Sequence, residues 1–246
     1  IFKNENAFSN KLFLKLKIRF MSLKSRVSEP IMNFFNLVFP VYCENCGETL
    51  RKSEECLCSF CEYQLPETHF HLQPDNPVET IFWGRIQVFA AASFLHYQKG
   101  EMVQKLIHQL KYHNKGHIGV YLGQLFGQQL MQSQRFNDAS VIIPVPLHWK
   151  KKKLRGYNQS EKIADGMQKS MDASKDTKSL LRVTHSSTQT QKSRYERWEN
   201  VKSIFQLSPK SATLENQHVI LVDDVITTGS TIESCFLKLM EIKGIR

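Results

Sequence analysis

The sequence predicts an α/β fold joined to a small module held by cysteines. Three observations carry that expectation. The run His218 to Val222 is short, β-branched and apolar, and it leads through a polar turn into apolar residues at Ile232, Cys235, Phe236, Leu239 and Met240, the spacing of one helix face. A second short apolar run, residues 141–143, is closed by Pro144 and Pro146. Five of the six cysteines fall within "CENCGETLRKSEECLCSFC", residues 43–61. At 246 residues the chain has room for one sizeable domain and a small one. Its 41% hydrophobic and 23% charged composition is that of a globular protein with a core. The formal net charge of +10 favours anionic partners, such as a phosphorylated ligand, nucleic acid or a membrane surface. No run of about 18 apolar residues occurs, so no membrane-spanning helix is expected.

From the N-terminus, "IFKNENAFSNKLFLKLKIRF" is basic and patchily apolar, without the compact apolar stretch and small-residue cleavage site of a signal peptide. Met21 is read as a start, and residues 1–33 as an extension peripheral to function. A cytoplasmic location is expected, because no export signal is seen. Residues 34–66 form the cysteine module. Cys43-x2-Cys46 and Cys58-x2-Cys61 are two knuckles separated by eleven residues, and each can aim two thiolates at one point. Gly47 supplies the tight turn after the first pair. Disulfides and a redox pair are the alternatives. The former suit exported chains and the latter needs one pair only, so a closed, structural four-cysteine zinc site is favoured. Cys56 competes with Cys58 as third ligand, and the paired spacing favours Cys58. His69 and His71 are read as loop residues and Cys235 as core.

Residues 66–80, rich in Pro and polar side chains, read as a loop and domain boundary, with the larger domain at residues 81–246. "WGRIQVFAAASFLH", residues 83–96, reads as strand-like. Residues 101–110 and 117–131 read as helices. In the first of these, Gln104, His108 and Lys111 lie on the solvated side, opposite Val103, Leu106, Ile107 and Leu110. After the 141–143 strand comes a basic loop with Lys150, Lys151, Lys152, Lys153 and Arg155. Such a loop either binds a pyrophosphate at the strand end or is a solvated charge run.

"VILVDDVITTGST", residues 219–231, sets Asp223 and Asp224 at the carboxyl end of a strand, where α/β sheets bind ligands. Thr227, Thr228, Gly229, Ser230 and Thr231 run into a helix N-terminus, whose free N–H groups and dipole favour a phosphate. The two carboxylates suit a sugar diol or a hydrated magnesium ion. Neither G-x-x-x-x-G-K-[ST] nor G-x-G-x-x-G occurs in the chain.

This stretch closely resembles the phosphoribosyl-pyrophosphate (PRPP) motif of type I phosphoribosyltransferases. The resemblance implies a parallel sheet flanked by helices, with Asp223 and Asp224 on the ribose hydroxyls and residues 227–231 around the 5′-phosphate. "FFNLVFPVYCENCG" (34–47), the Pro-x-Pro-Leu-His segment with its basic run and "RGYNQSEKIA" (155–164), and "TQTQKSRYERWENVKSIF" (188–205) resemble the ComF family, named for competence for DNA uptake. The last matches through Thr188, Gln189, Arg197, Asn200 and Phe205. That resemblance implies a type I phosphoribosyltransferase-like domain behind an N-terminal zinc ribbon, and at least one strand more than the chain shows after Lys243.

Two functions follow as expectations. One is a magnesium-dependent phosphoribosyltransferase in which Lys150, Lys151 and Arg155 neutralise the departing pyrophosphate and residues 188–200 close over the site. The other is a factor binding single-stranded DNA through Trp149, Tyr157 and the lysines between them, with the PRPP site as a sensor and the competence machinery as a partner.

Overall fold

A computed structural model describes residues 40–183 and 204–246. Its centre is a three-stranded parallel sheet of order β2-β1-β5. β1 is Val141–Pro144, β2 is Ser174–Lys175 and β5 is Val219–Val222. Helices cover both faces, which explains why the central strand reads as a continuous apolar run rather than an alternating one. Ile142 points to one face, among Leu130, Ala164 and Met167. Val141, Ile143 and Val145 point to the other, among Leu180, Phe205, Cys235 and Leu239. The protein is thus α/β, with a parallel sheet between helical layers.

Register places Pro144 beside Val222. The ladder does not stop at that proline, because Val145 N–H donates to the carbonyl of Val222 at 2.8 Å. The strand ends therefore stay aligned, and the segments after β1 and β5 leave from the same rim of the sheet. On the far side of β5, Val219 N–H donates to the Arg246 carbonyl and Arg246 N–H to the Gln217 carbonyl. β3 (Leu180–Arg182) and β4 (Phe205–Leu207) pair antiparallel beside this core.

The helices are α1 (Ser59–Tyr63), α2 (Pro77–Thr80), α3 (Met102–Tyr112), α4 (Gly116–Leu130), α5 (Trp149–Arg155), α6 (Gln159–Ser170) and α7 (Ser230–Leu239). α3 and α4 match the sequence expectation to within two residues. α4 and α6 pack with backbones nearly touching: a Cβ on Gly123 would stand 2.0 Å from the Ile163 carbonyl oxygen, and one on Gly166 2.0 Å from that of Val120.

Three readings change. Residues 83–96 form no regular strand; Leu95 makes one isolated bridge, to Glu67. The 66–80 segment, read as a loop, carries two short helical turns, Phe70–Leu72 and α2, and is packed. Asn76 caps α2 through Val78 and Glu79 N–H and also donates to the Phe70, Gln73 and Ala91 carbonyls. Buried Glu79 pairs with Arg135 at 2.8 Å, and His71 is buried as well. The basic loop is a helix, α5, capped at its start by the His148 ring and ended by Gly156 at φ 84°.

Candidate functional site

Asp223 and Asp224 follow directly on β5. Asp223 Oδ1 accepts from the Ser160 hydroxyl and from the Asp224 N–H, both at 2.9 Å. Burial, and then the neighbouring Asp224 charge, push the Asp223 carboxyl up to about 6, against the pull of those two donors and of Lys111. Asp224 Oδ1 lies 2.9 Å from Lys111 Nζ. Lys111 is therefore not a solvated lysine: it is turned toward the acid pair.

The segment after α5 is the scaffold of this corner. Tyr157 donates its hydroxyl to the Leu110 carbonyl at 2.5 Å, tying α6 to α3. Asn158 donates to the Val145 carbonyl at 2.9 Å and so fixes the exit of β1. Gln159 accepts from Arg155 at 2.7 Å, and Ser160 reaches Asp223. "RGYNQS" is thus used residue by residue to hold the rim.

The turn of Thr227, Thr228, Gly229, Ser230 and Thr231 opens α7. Gly229 is the N-cap at φ 71°, and no side chain caps the helix. A Cβ there would also come within 2.8 Å of both Ile81 and Phe82, so glycine is required by backbone and by space. Arg85 donates to the Thr228 carbonyl at 2.7 Å and pairs with Glu233, clasping the turn from outside. Thr227, Thr228, Ser230 and Thr231 are exposed, and free N–H groups at the start of a helix attract an anion.

Lys150 and Lys151 are exposed on α5, while Arg155 is turned toward Gln159 and the Tyr112 ring. A cavity of about 460 Å³ runs beside β5 and includes both aspartates among its lining. Its walls are mostly apolar, from residues 88–97 and β5, which makes it a gap in packing rather than a seat for a phosphorylated sugar. Residues 188–200, read as a closing segment, lie outside the described residues, as do residues 1–33.

The sulfurs of Cys43, Cys46, Cys58 and Cys61 lie within 4.8 Å of one another, and those of Cys46 and Cys58 are 3.7 Å apart. Zinc–thiolate bonds of ~2.3 Å set tetrahedral S–S edges near ~3.8 Å, so the four fit a structural zinc ion. Burial opposes ionisation of Cys43, but N–H donors from Cys46, Cys58 and Asn45 outweigh it and bring that thiol down to about 6. Asn45 donates to Cys61 Sγ at 3.3 Å. Cys56 is outside the cluster, with its thiol pushed up to about 12, mainly by burial. None of the six cysteines is in a disulfide.

Lys111, Ser160 and Arg85 are the site neighbours that sequence reasoning missed. Only the "NQS" match in the ComF-like segment could have pointed to Ser160.

Fold and site define an α/β protein with a strand-end acid pair, an open helix N-terminus and a four-cysteine module. No family model matches the chain. It is 28% identical over 230 residues to competence protein F of Haemophilus influenzae, covering 87% of this chain and 95% of that protein. It is 29% identical over 203 residues to the DNA utilization protein YhgH of Shigella flexneri, covering 77% and 80%. The Salmonella typhimurium protein of the same name is 31% identical over 134 residues, 52% of this chain and 56% of that one. These proteins are homologues of the chain, in line with its ComF resemblance. Among the described residues no helix is long and apolar enough to cross a membrane.

Proposed function

We propose that this chain is a ComF-like, phosphoribosyltransferase-related protein that binds PRPP with magnesium and serves DNA uptake or utilisation. The carrying observation is the pairing of Asp223 and Asp224 with an uncapped helix N-terminus in one continuous strand-turn-helix segment. Ribose hydroxyls donate to the aspartates, and the 5′-phosphate takes the N–H groups and hydroxyls of residues 227–231. Magnesium, when bound with PRPP, supplies positive charge at the pyrophosphate oxygens. In a transfer reaction pyrophosphate leaves the anomeric carbon, and the carboxylates stabilise the cationic character that develops there. Lys150, Lys151 and Arg155 attract the departing anion. The names of the relatives support the link to DNA. A cytoplasmic location accords with this role, as does a division into a zinc-ribbon module (34–66) and a phosphoribosyltransferase-like domain (81–246).

Calorimetric titration tests the reading. PRPP with magnesium should bind the parent, and Asp223→Asn with Asp224→Asn should weaken it roughly tenfold or more per lost charge-assisted bond. Thr228→Ala should weaken both PRPP and ribose 5-phosphate, since both carry the 5′-phosphate. Equal PRPP affinity in the double Asn variant would end the ribose-clamp reading. Pyrophosphate release across a panel of acceptors tests turnover.

A second reading, binding of single-stranded DNA, is favoured by α5. Trp149 is 63% exposed with Lys150 Nζ 5.6 Å from its ring centroid. Among the described residues Lys150, Lys151 and Lys153 have no carboxylate partner, whereas Lys152 pairs with Glu161 at 3.1 Å. Tyr157 is part of the scaffold and drops out of the stacking set. Affinity should fall by ~0.7 log units per log unit of salt for each phosphate contacted, and changing Lys150 to Lys153 to Ala should flatten that slope. An unchanged slope would mark α5 as a solvated face.

A further inference from the structure

Between the cysteine module and α3 lies an open cleft of about 930 Å³. One wall is residues 40–47; the other carries Lys105, His108, Gln109, His113 and Lys115. The walls are tied across the base. Gln109 donates to the Glu44 carbonyl at 2.8 Å and Lys105 to that of Asn45. The Glu44 carboxylate is engaged by Lys115 and His117, which leaves Glu101 as the other acid in the lining.

Three rings meet at the end of α3. The His108 ring lies 4.9 Å from that of Tyr112 and 5.3 Å from that of His113. Tyr112 is 63% exposed, and the Arg155 guanidinium sits 5.4 Å from its ring centroid. Arg155 ends α5, and Trp149 with Lys150 begins it, about 9 Å away along the helix axis. Rings and cations thus continue from α5 through Arg155 and Tyr112 to His108 and His113 in the cleft.

That pattern selects a ligand class. Exposed ring faces take the faces of unpaired bases, and interleaved cations take a phosphate backbone. A duplex hides its base faces and gains nothing from the rings. A small phosphorylated metabolite needs one enclosed seat, whereas this surface is long and open. A metal is not indicated, since among the described residues only the four-cysteine cluster gathers enough ligands.

We propose that a single-stranded nucleic acid runs from α5 over Arg155 and Tyr112, which lie beside the cleft, and into the cleft at His108 and Lys105, with bases stacked on Tyr112 and His108 and phosphates held by Arg155 and Lys105. The proposal rests on the second reading above and extends the contact surface from α5 to the cysteine module. The test uses the zinc-loaded full chain and a fluorescent oligothymidylate. Tyr112→Ala should lower affinity about tenfold, and Tyr112→Phe, which keeps the ring, should restore it. Lys105→Gln should lower the salt slope by ~0.7. Zinc content and circular dichroism matching the parent confirm that each variant is folded. Photocrosslinking of a bromodeoxyuridine strand should label residues of α3 as well as α5. If Tyr112→Ala and Lys105→Gln bind like the parent and crosslinks stay on α5, the strand does not enter the cleft, while α5 binding stands. If the parent binds no oligonucleotide, both readings fall, and equal affinity for a duplex overturns the stacking argument.

Discussion

Asp223 is a carboxyl group held in the wrong solvent. Its folded-state value of about 6 lies above the ordinary 3.8, so the folded protein binds this proton more tightly than the unfolded chain does. The corresponding stability is fully present below 3.8 and is lost as pH rises through about 6. At neutral pH the charge therefore works against the empty fold, and Asp223→Asn should raise the thermal midpoint by about 2–4 °C for each kcal/mol regained. PRPP affinity should move the opposite way, and in the parent it should decline as pH falls through about 6. Thermal unfolding and calorimetry across pH check both signs; a lower midpoint in the Asn variant would show that the charge is compensated. The acid pair, the threonine-glycine turn and the four clustered cysteines were legible in the sequence because each is a contiguous or regularly spaced pattern. Lys111, Ser160 and Arg85 were not, because they reach the site from distant segments. Helical spacing put Lys111 on the solvated side of α3 with Gln104 and His108; it could not say that Lys111 reaches Asp224 while the other two line the cleft beside the cysteine module.

At the scale of elements, the α4–α6 contact governs how the rim is held. α6 brings Ser160 to Asp223, and Asn158 just before it holds the exit of β1. Gly123→Ala would place a methyl carbon 2.0 Å from a backbone oxygen, so the helices must separate. The cost should be at or above the ~1–3 kcal/mol typical of overpacking, read as a lower urea midpoint. An unchanged midpoint would mean the pair can slide apart freely. Periodicity revealed α3, α4 and the β1 and β5 strands, each carrying a long or fully apolar signal. It missed β2, β3 and β4, which span two or three residues and offer no period to read. It missed α5 as well, since a lysine run has no apolar stripe and the helix rests on its caps, His148 and Gly156. Residues 83–96 have strand-like composition, yet Leu95 bridges only to Glu67.

For the whole molecule, the cysteine module is not an appendage. Cys43, Leu57, Cys61 and Leu65 share a core with Leu106, Ile118 and Leu122 of α3 and α4. Metal analysis of protein purified without added zinc should find about one zinc per chain. Cys43→Ser should remove the metal and unfold the module, seen as lost zinc and faster proteolysis near residues 40–66; full retention of zinc would contradict the four-ligand site. α3 touches both the module and the acid pair: Gln109 holds the Glu44 carbonyl in the module, and two residues later Lys111 holds Asp224 at the end of β5. A rigid element clamped at two sites makes each a partner in the other's equilibrium. If zinc loss weakens PRPP binding by some factor, PRPP must tighten zinc retention by that same factor, and couplings of this kind run to about 5–150-fold. Chelator competition with and without PRPP, set against PRPP titration with and without zinc, should return one number twice. On that arithmetic, if the proposed PRPP site and the zinc site are both occupied, the state of the metal in the module would set how tightly the strand-end acid pair holds its ligand.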